Sequence, residues 1–116
     1  MLIAVASESD KGLEALVSAH FGRCPYYTLV EVQDGQVKQV RWVENPFYNQ
    51  HGAPGEAPNF INQQGADVII AGGMGPRAIQ FFQELGIKTA TGATGTVAEA
   101  IEDYLSGKLT GAAPCD

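Results

Sequence analysis

Basic residues are scarce in this chain: seven Lys and Arg face thirteen Asp and Glu, and no two basic residues are adjacent. Phosphate backbones are held by clustered cations, so the missing basic stripe and the net charge of −6 argue against DNA or RNA as partner. Long apolar runs are missing as well. None approaches the ~20 residues that cross a bilayer, so no membrane role is expected. The apolar start, Met1 to Ala6, has no basic flank and runs into Ser7-Glu8-Ser9-Asp10. It reads as a first strand and not as a signal peptide, and a cytoplasmic location is expected. Cysteine is also sparse. Cys24 and Cys115 alone make no disulfide framework, and two free thiols are the expectation.

What is present is a globular composition, 45% hydrophobic and 17% charged over 116 residues, enough for one core. One domain is expected over residues 1–110, with 111–116 as a flexible C-terminal tail. The apolar run Leu2 to Ala6 suits a strand buried on both faces. Tyr26 to Val32 and Val37 to Glu44 are rich in β-branched and aromatic residues, and Asp34-Gly35 between them supplies the positive φ of a tight hairpin. Leu13, Leu16 and Val17 suggest a short helix. Pro46, Pro54 and Pro58 predict a surface loop over 45–57, with a helix starting near Pro58.

Asp67 to Ala71 predicts a buried strand that enters Gly72-Gly73-Met74-Gly75-Pro76. Pro76 fits a first helical position, and Ala78, Ile79, Phe82 and Leu85 follow at helical spacing. Ile87 to Ala90 predicts a last strand. Thr96 and Glu99 form a capping box for a final helix carrying Val97, Ala100, Ile101 and Leu105. The order β–β–β–α–β–α–β–α predicts an α/β protein of ribonuclease-H-like topology. It has a five-stranded mixed sheet of order 3-2-1-4-5 with helices on both faces. Ligands then belong at the carboxyl ends of the parallel strands, where the loops after Ala6 and Ala71 share one edge.

Two constellations carry chemistry. In His20-Phe21-Gly22-Arg23-Cys24-Pro25, an imidazole and a thiol suit zinc, copper or iron, and Arg23 is placed to favour the thiolate. The chain has two histidines. The second, His51, also falls in a loop without apolar periodicity, and Cys115 adds a fourth soft donor. His20, Cys24, His51 and Cys115 are therefore the expected metal ligands, although their spacing matches no closed zinc motif. A bland reading competes, in which His20 caps local backbone and Cys24 packs as a small hydrophobe.

The second constellation is Gly72-Gly73-Met74-Gly75-Pro76-Arg77. A glycine-rich strand-to-helix turn lets amides approach an anion, the helix start adds partial positive charge, and Arg77 can fork onto oxygens or sulfides. It lacks the Lys-Ser/Thr of a P-loop and the spacing of a dinucleotide fingerprint. The competing reading is a tight turn that needs glycine for its backbone angles alone. Gly92-Ala93-Thr94-Gly95-Thr96 repeats the arrangement and extends the expected surface. No acid sits on the first strand and no nucleophile–base pair can be placed, so the chain is expected not to be an enzyme.

His20-Phe21-Gly22-Arg23-Cys24, the Asn45-to-Gly52 loop with His51, and Gly72-Gly73-Met74-Gly75-Pro76-Arg77-Ala78 together resemble the dinitrogenase iron–molybdenum cofactor biosynthesis family. The similarity follows these motifs in order over nearly the whole chain. It implies a ribonuclease-H-like fold and a small stand-alone protein similar to the nitrogenase accessory factors. The implied role is to carry an iron–sulfur or iron–molybdenum-type cluster, or to assist its assembly. By the resemblance His20 is the main cluster contact and Cys24 an optional second ligand. Arg77 and the amides of Gly73 and Gly75 balance cluster charge, with Arg23, Gly72 and Met74 beside them. Metal-cluster donor or acceptor proteins are the implied partners, and the protein is expected as a monomer or weak homodimer. The rival expectation is a regulatory module that binds a small anion on Gly72–Arg77 without metal.

Overall fold

The computed structural model describes residues 1–48, 53, 55–109 and 111. His51, Cys115 and residues 112–116 of the expected tail lie outside the described residues. Five strands form one sheet: β1 (Leu2–Ser7), β2 (Tyr26–Gln33), β3 (Gln36–Glu44), β4 (Val68–Ile70) and β5 (Lys88–Ala90). Three helices accompany them, α1 (Glu56–Gln63), α2 (Pro76–Leu85) and α3 (Val97–Leu105). The strand order is β3-β2-β1-β4-β5, as the element order predicts.

The register explains the mixed sheet. β1 pairs antiparallel with β2, Ala4 opposite Leu29, and parallel with β4, Ile3 opposite Val68. The hairpin between β2 and β3 turns on Asp34 and Gly35, with φ of 54° and 75°. Positive φ at both central residues matches the twist of the flanking strands. The single connection through α2 joins β4 to β5 as parallel neighbours.

Alternation along β1 divides the interior into two layers. Ile3 and Val5 face one core with Val30, Val68, Ile70, Val97 and Ile101, and so bury α3. Ala4 and Ala6 face the other, with Tyr27, Leu29, Ile61, Ile69 and Phe82, and so bury α1 and α2. Both cores rest on side chains with essentially no exposure. Truncating one such anchor, Phe82→Ala, should cost about 3–5 kcal/mol.

Two local expectations change. Leu13 to Val17 does not form a helix; a single 3₁₀ turn covers Gly12–Glu14. Leu16 and Val17 instead make β-bridges to Thr96 and Ser7, which tie this connection to α3 and β1. Helix α1 starts at Glu56, ahead of Pro58, because proline is tolerated within a first turn whose amides have no helical partner. No helix among the described residues is long and apolar enough to cross a membrane.

Candidate functional site

The connection after β1 turns back and wedges between the carboxyl ends of β1 and β4. The Ser18 amide donates to the Ala6 carbonyl at 2.7 Å, and the Ser18 carbonyl accepts from the Gly72 amide at 2.9 Å. This close approach requires glycine: a Cβ on Gly72 would lie 2.9 Å from the Ala19 Cα. Three residues later the Phe21 amide donates to the Gly73 carbonyl at 2.9 Å. The His20 loop and the glycine turn are thus sutured side by side, at the switch point of the sheet.

The suture changes the role of Gly72. Its amide is already committed to Ser18, so Gly72 contributes a tight backbone crossing and not an anion-binding amide. The start of α2 is different. Its N-cap, Gly75, supplies no capping side chain, Pro76 occupies the first turn, and no acid is present there. Helix α3, after the second glycine turn, is closed by its own residues. Thr96 and Glu99 form the complete capping box, with the Glu99 carboxylate accepting from the Thr96 amide at 3.1 Å. The Gly92–Thr96 turn therefore does not extend the site. Of the two strand-to-helix turns on this edge, only that before α2 leaves its positive end without an internal anion.

A cleft of about 450 Å³ opens there. His20, Arg23 and Arg77 line it, and no carboxylate is among its described lining residues. In a chain of net charge −6 this is a local inversion of sign. The remaining wall is apolar, from Phe21, Phe47, Pro58, Met74 and Phe81. Gly55 narrows it: a Cβ there would come within 3.1 Å of the Phe81 ring. Met74 also borders the cleft, but its side chain is 1% exposed and packs in the core with Cys24 and Phe82.

Cys24 is not in this cleft. It is fully buried and packs with Tyr27, Ala6 and Phe82 in the core beneath α1 and α2. Burial pushes its thiol up to about 11, the opposite of the lowering expected from Arg23. The Tyr27 hydroxyl, also buried, lies against the Cys24 thiol, and it too is held protonated, chiefly by burial. Cys24 anchors the loop and presents no sulfur to solvent. His51 and Cys115 fall outside the described residues, and among those described no group of three His, Cys, Asp or Glu is placed to hold a metal ion.

Sequence reasoning passed over Asn45. It is buried, with its side-chain nitrogen donating to the Cys24 carbonyl at 2.8 Å and the Gly22 carbonyl at 3.2 Å. Its side-chain oxygen accepts from the Phe47 amide at 3.0 Å. Asn before Pro at a strand end was a visible turn signal, but the bonds back to residues 22 and 24 were not.

Fold and site together define a small α/β protein with a cationic, apolar-walled cleft at the carboxyl edge of its parallel strands. The chain belongs to the dinitrogenase iron-molybdenum cofactor family, whose sequence profile matches residues 1–107. It is 35% identical to an uncharacterised protein of Methanocaldococcus jannaschii over 94 residues, 80% of each chain. The apo form of the orange protein from Desulfovibrio gigas superposes with a TM-score of 0.84 at 30% identity, covering 99% of this chain and 95% of that one. An NMR structure from Thermotoga with a provisional NifB assignment gives a TM-score of 0.76 at 28% identity, over 95% and 91% of the two chains.

Proposed function

We propose that the chain is a non-catalytic carrier of an anionic iron–sulfur or iron–molybdenum-type cluster, received in the cleft between the His20 loop and the start of α2. The observation that carries this reading is the sign of the cleft: among the described residues His20, Arg23 and Arg77 line it without a carboxylate, in an acidic protein. Sulfide-rich clusters are anionic and polarisable. They match a wall of guanidinium groups, an uncapped helix start and aromatic rings. Membership of the family and the likeness to the orange protein and the NifB-type protein support the same reading.

The donor set of the described residues favours a preassembled cluster over a bare ion. Among the described residues His20 offers one nitrogen, while the side chains of Met74 and Cys24 are sealed in the core. An ion needs three or four ligands of its own, whereas a finished cluster brings its sulfides and needs charge balance and fit. Donor and acceptor proteins for such a cluster are the partners this implies, in the cytoplasm, on a ribonuclease-H-like scaffold that acts as a monomer or weak homodimer.

A second reading takes the same cations to serve a small oxyanion without metal, and the uncapped first turn of α2 favours it. Anaerobic titration separates the two. A synthetic thiolate-capped iron–sulfur cluster should raise the melting temperature and develop a protein-induced visible dichroism, whereas inorganic phosphate should do neither at equal concentration. Stabilisation by phosphate alone would establish the oxyanion reading and reject the carrier.

A further inference from the structure

Two segments far apart in sequence wall the cleft on the side facing α2: the loop with His20 and Arg23, and the turn with Phe47. We propose that Asn45 is a positioning residue for this cleft, its side-chain amide fixing these two walls against each other. The inference rests on the reading of the cleft as the cargo site.

The geometry requires both halves of the amide. The nitrogen donates to the Gly22 and Cys24 carbonyls, bracketing Arg23, and the oxygen accepts from the Phe47 amide. The Asn45 backbone amide adds a bond to the Pro25 carbonyl at 2.9 Å, so the residue is held at its own base. An ordinary Asx turn would need the oxygen alone, and aspartate would serve as well. The two donor bonds reach back across 21 and 23 residues of chain and exclude aspartate, which when ionised only accepts.

The loop so held has few other fixings. Gly22 adopts φ of +87°, where a side chain is strained, and a Cβ there would meet nothing within 4 Å. Among the described residues, the Phe21 amide on Gly73 ties one end and buried Cys24 ties the other. Between them the Arg23 amide donates to the His20 carbonyl at 3.4 Å within the loop itself, and from outside the loop the Asn45 nitrogen grips the backbone on both sides of Arg23. Because Asn45 is 5% exposed, water does not readily replace it.

The test compares wild type, Asn45→Asp and Asn45→Ala by amide hydrogen exchange in the metal-free protein. It adds titration with the synthetic iron–sulfur cluster. Asn45→Asp should keep protection at the Phe47 amide, whose acceptor survives, while the Arg23 and Phe21 amides exchange roughly tenfold faster or more. Asn45→Ala should lose protection at all three, and carries no buried charge should Asn45→Asp fold poorly. Acidification should partly restore the Arg23 and Phe21 amides in Asn45→Asp, since a neutral carboxyl regains one donor, and not in Asn45→Ala. Cluster affinity should fall at least tenfold in both variants, with the dichroism altered in shape.

Exchange within twofold of wild type in both variants would overturn the clamp. So would unchanged cluster affinity and dichroism in a protein whose loop amides have become exposed, because Asn45 would then matter to the fold alone. If wild type binds no cluster while the amides behave as expected, the clamp stands and the carrier reading falls.

Discussion

The backbone of Phe21 is hydrogen-bonded to that of Gly73, amide to carbonyl at 2.9 Å, and this bond brings the two sequence motifs of the chain into one wall. It depends on the crossing one residue earlier in the turn, where Gly72 passes the Ala19 backbone with no room for a methyl group.

Substitution of that glycine gives the first prediction. In Gly72→Ala the new Cβ meets three backbone atoms of one segment, the Ala19 Cα at 2.9 Å and the Ser18 and Ala19 carbonyl oxygens at 3.0 and 3.1 Å. Backbone does not step aside as a rotamer does, so urea unfolding should show a loss of about 1–3 kcal/mol. Gly75→Ala is the control. Its φ of −69° suits alanine and its Cβ would meet nothing within 4 Å, so stability should change by less than about 0.5 kcal/mol.

Alkaline stability gives the second. The Cys24 thiol is raised from 9.0 to about 11, so folding favours its neutral form. That contribution is complete below pH 9 and is lost as pH climbs through 11, amounting to roughly 2 kcal/mol at the upper end. Tyr27, shifted in the same direction, adds to the loss. Denaturation at pH 8 and pH 11 should therefore diverge in wild type, and Cys24→Ala should narrow the gap. In a Cys115→Ser background the native protein should also resist thiol reagents until it unfolds; rapid native labelling would refute the buried placement.

Helix α3 gives the third. Glu99→Ala removes the carboxylate that accepts from the Thr96 amide and hydroxyl, and should cost about 1 kcal/mol of stability. Cluster affinity should stay within twofold of wild type. A larger change would bring the Gly92–Thr96 turn back into the site.

Features set by short-range chemistry were legible in the sequence. Asp34-Gly35 could only turn a hairpin, Thr96 with Glu99 could only close a helix start, and the order of elements left one sheet order consistent with right-handed crossovers. The pairing of the His20 loop with the glycine turn followed from the same topology. What the sequence hid were facts of three-dimensional partnership. Leu16 and Val17 have helical spacing, yet bridging to Thr96 and Ser7 draws them into extended backbone. Cys24 sits four residues from exposed His20, and nothing local says that its side chain turns inward against Tyr27. Gly72 and Gly73 look equivalent on paper. The wedge at Ser18 alone decides that the first gives its amide to the fold.

Binding of a preformed cluster tests the central claim most directly. Anaerobic titration of the synthetic thiolate-capped iron–sulfur cluster should be run on wild type, on the triple variant His20→Ala, Arg23→Gln, Arg77→Gln, and on Cys24→Ser. With three cationic or donor groups gone from the cleft, affinity in the triple variant should fall about a hundredfold or more, and rising salt should weaken wild type far more than the variant. Cys24→Ser, which keeps the size of the buried loop anchor and loses only its sulfur, should bind as wild type does. Undiminished binding by the triple variant, or loss of binding in Cys24→Ser with the fold intact, would contradict a cargo held in the cationic cleft.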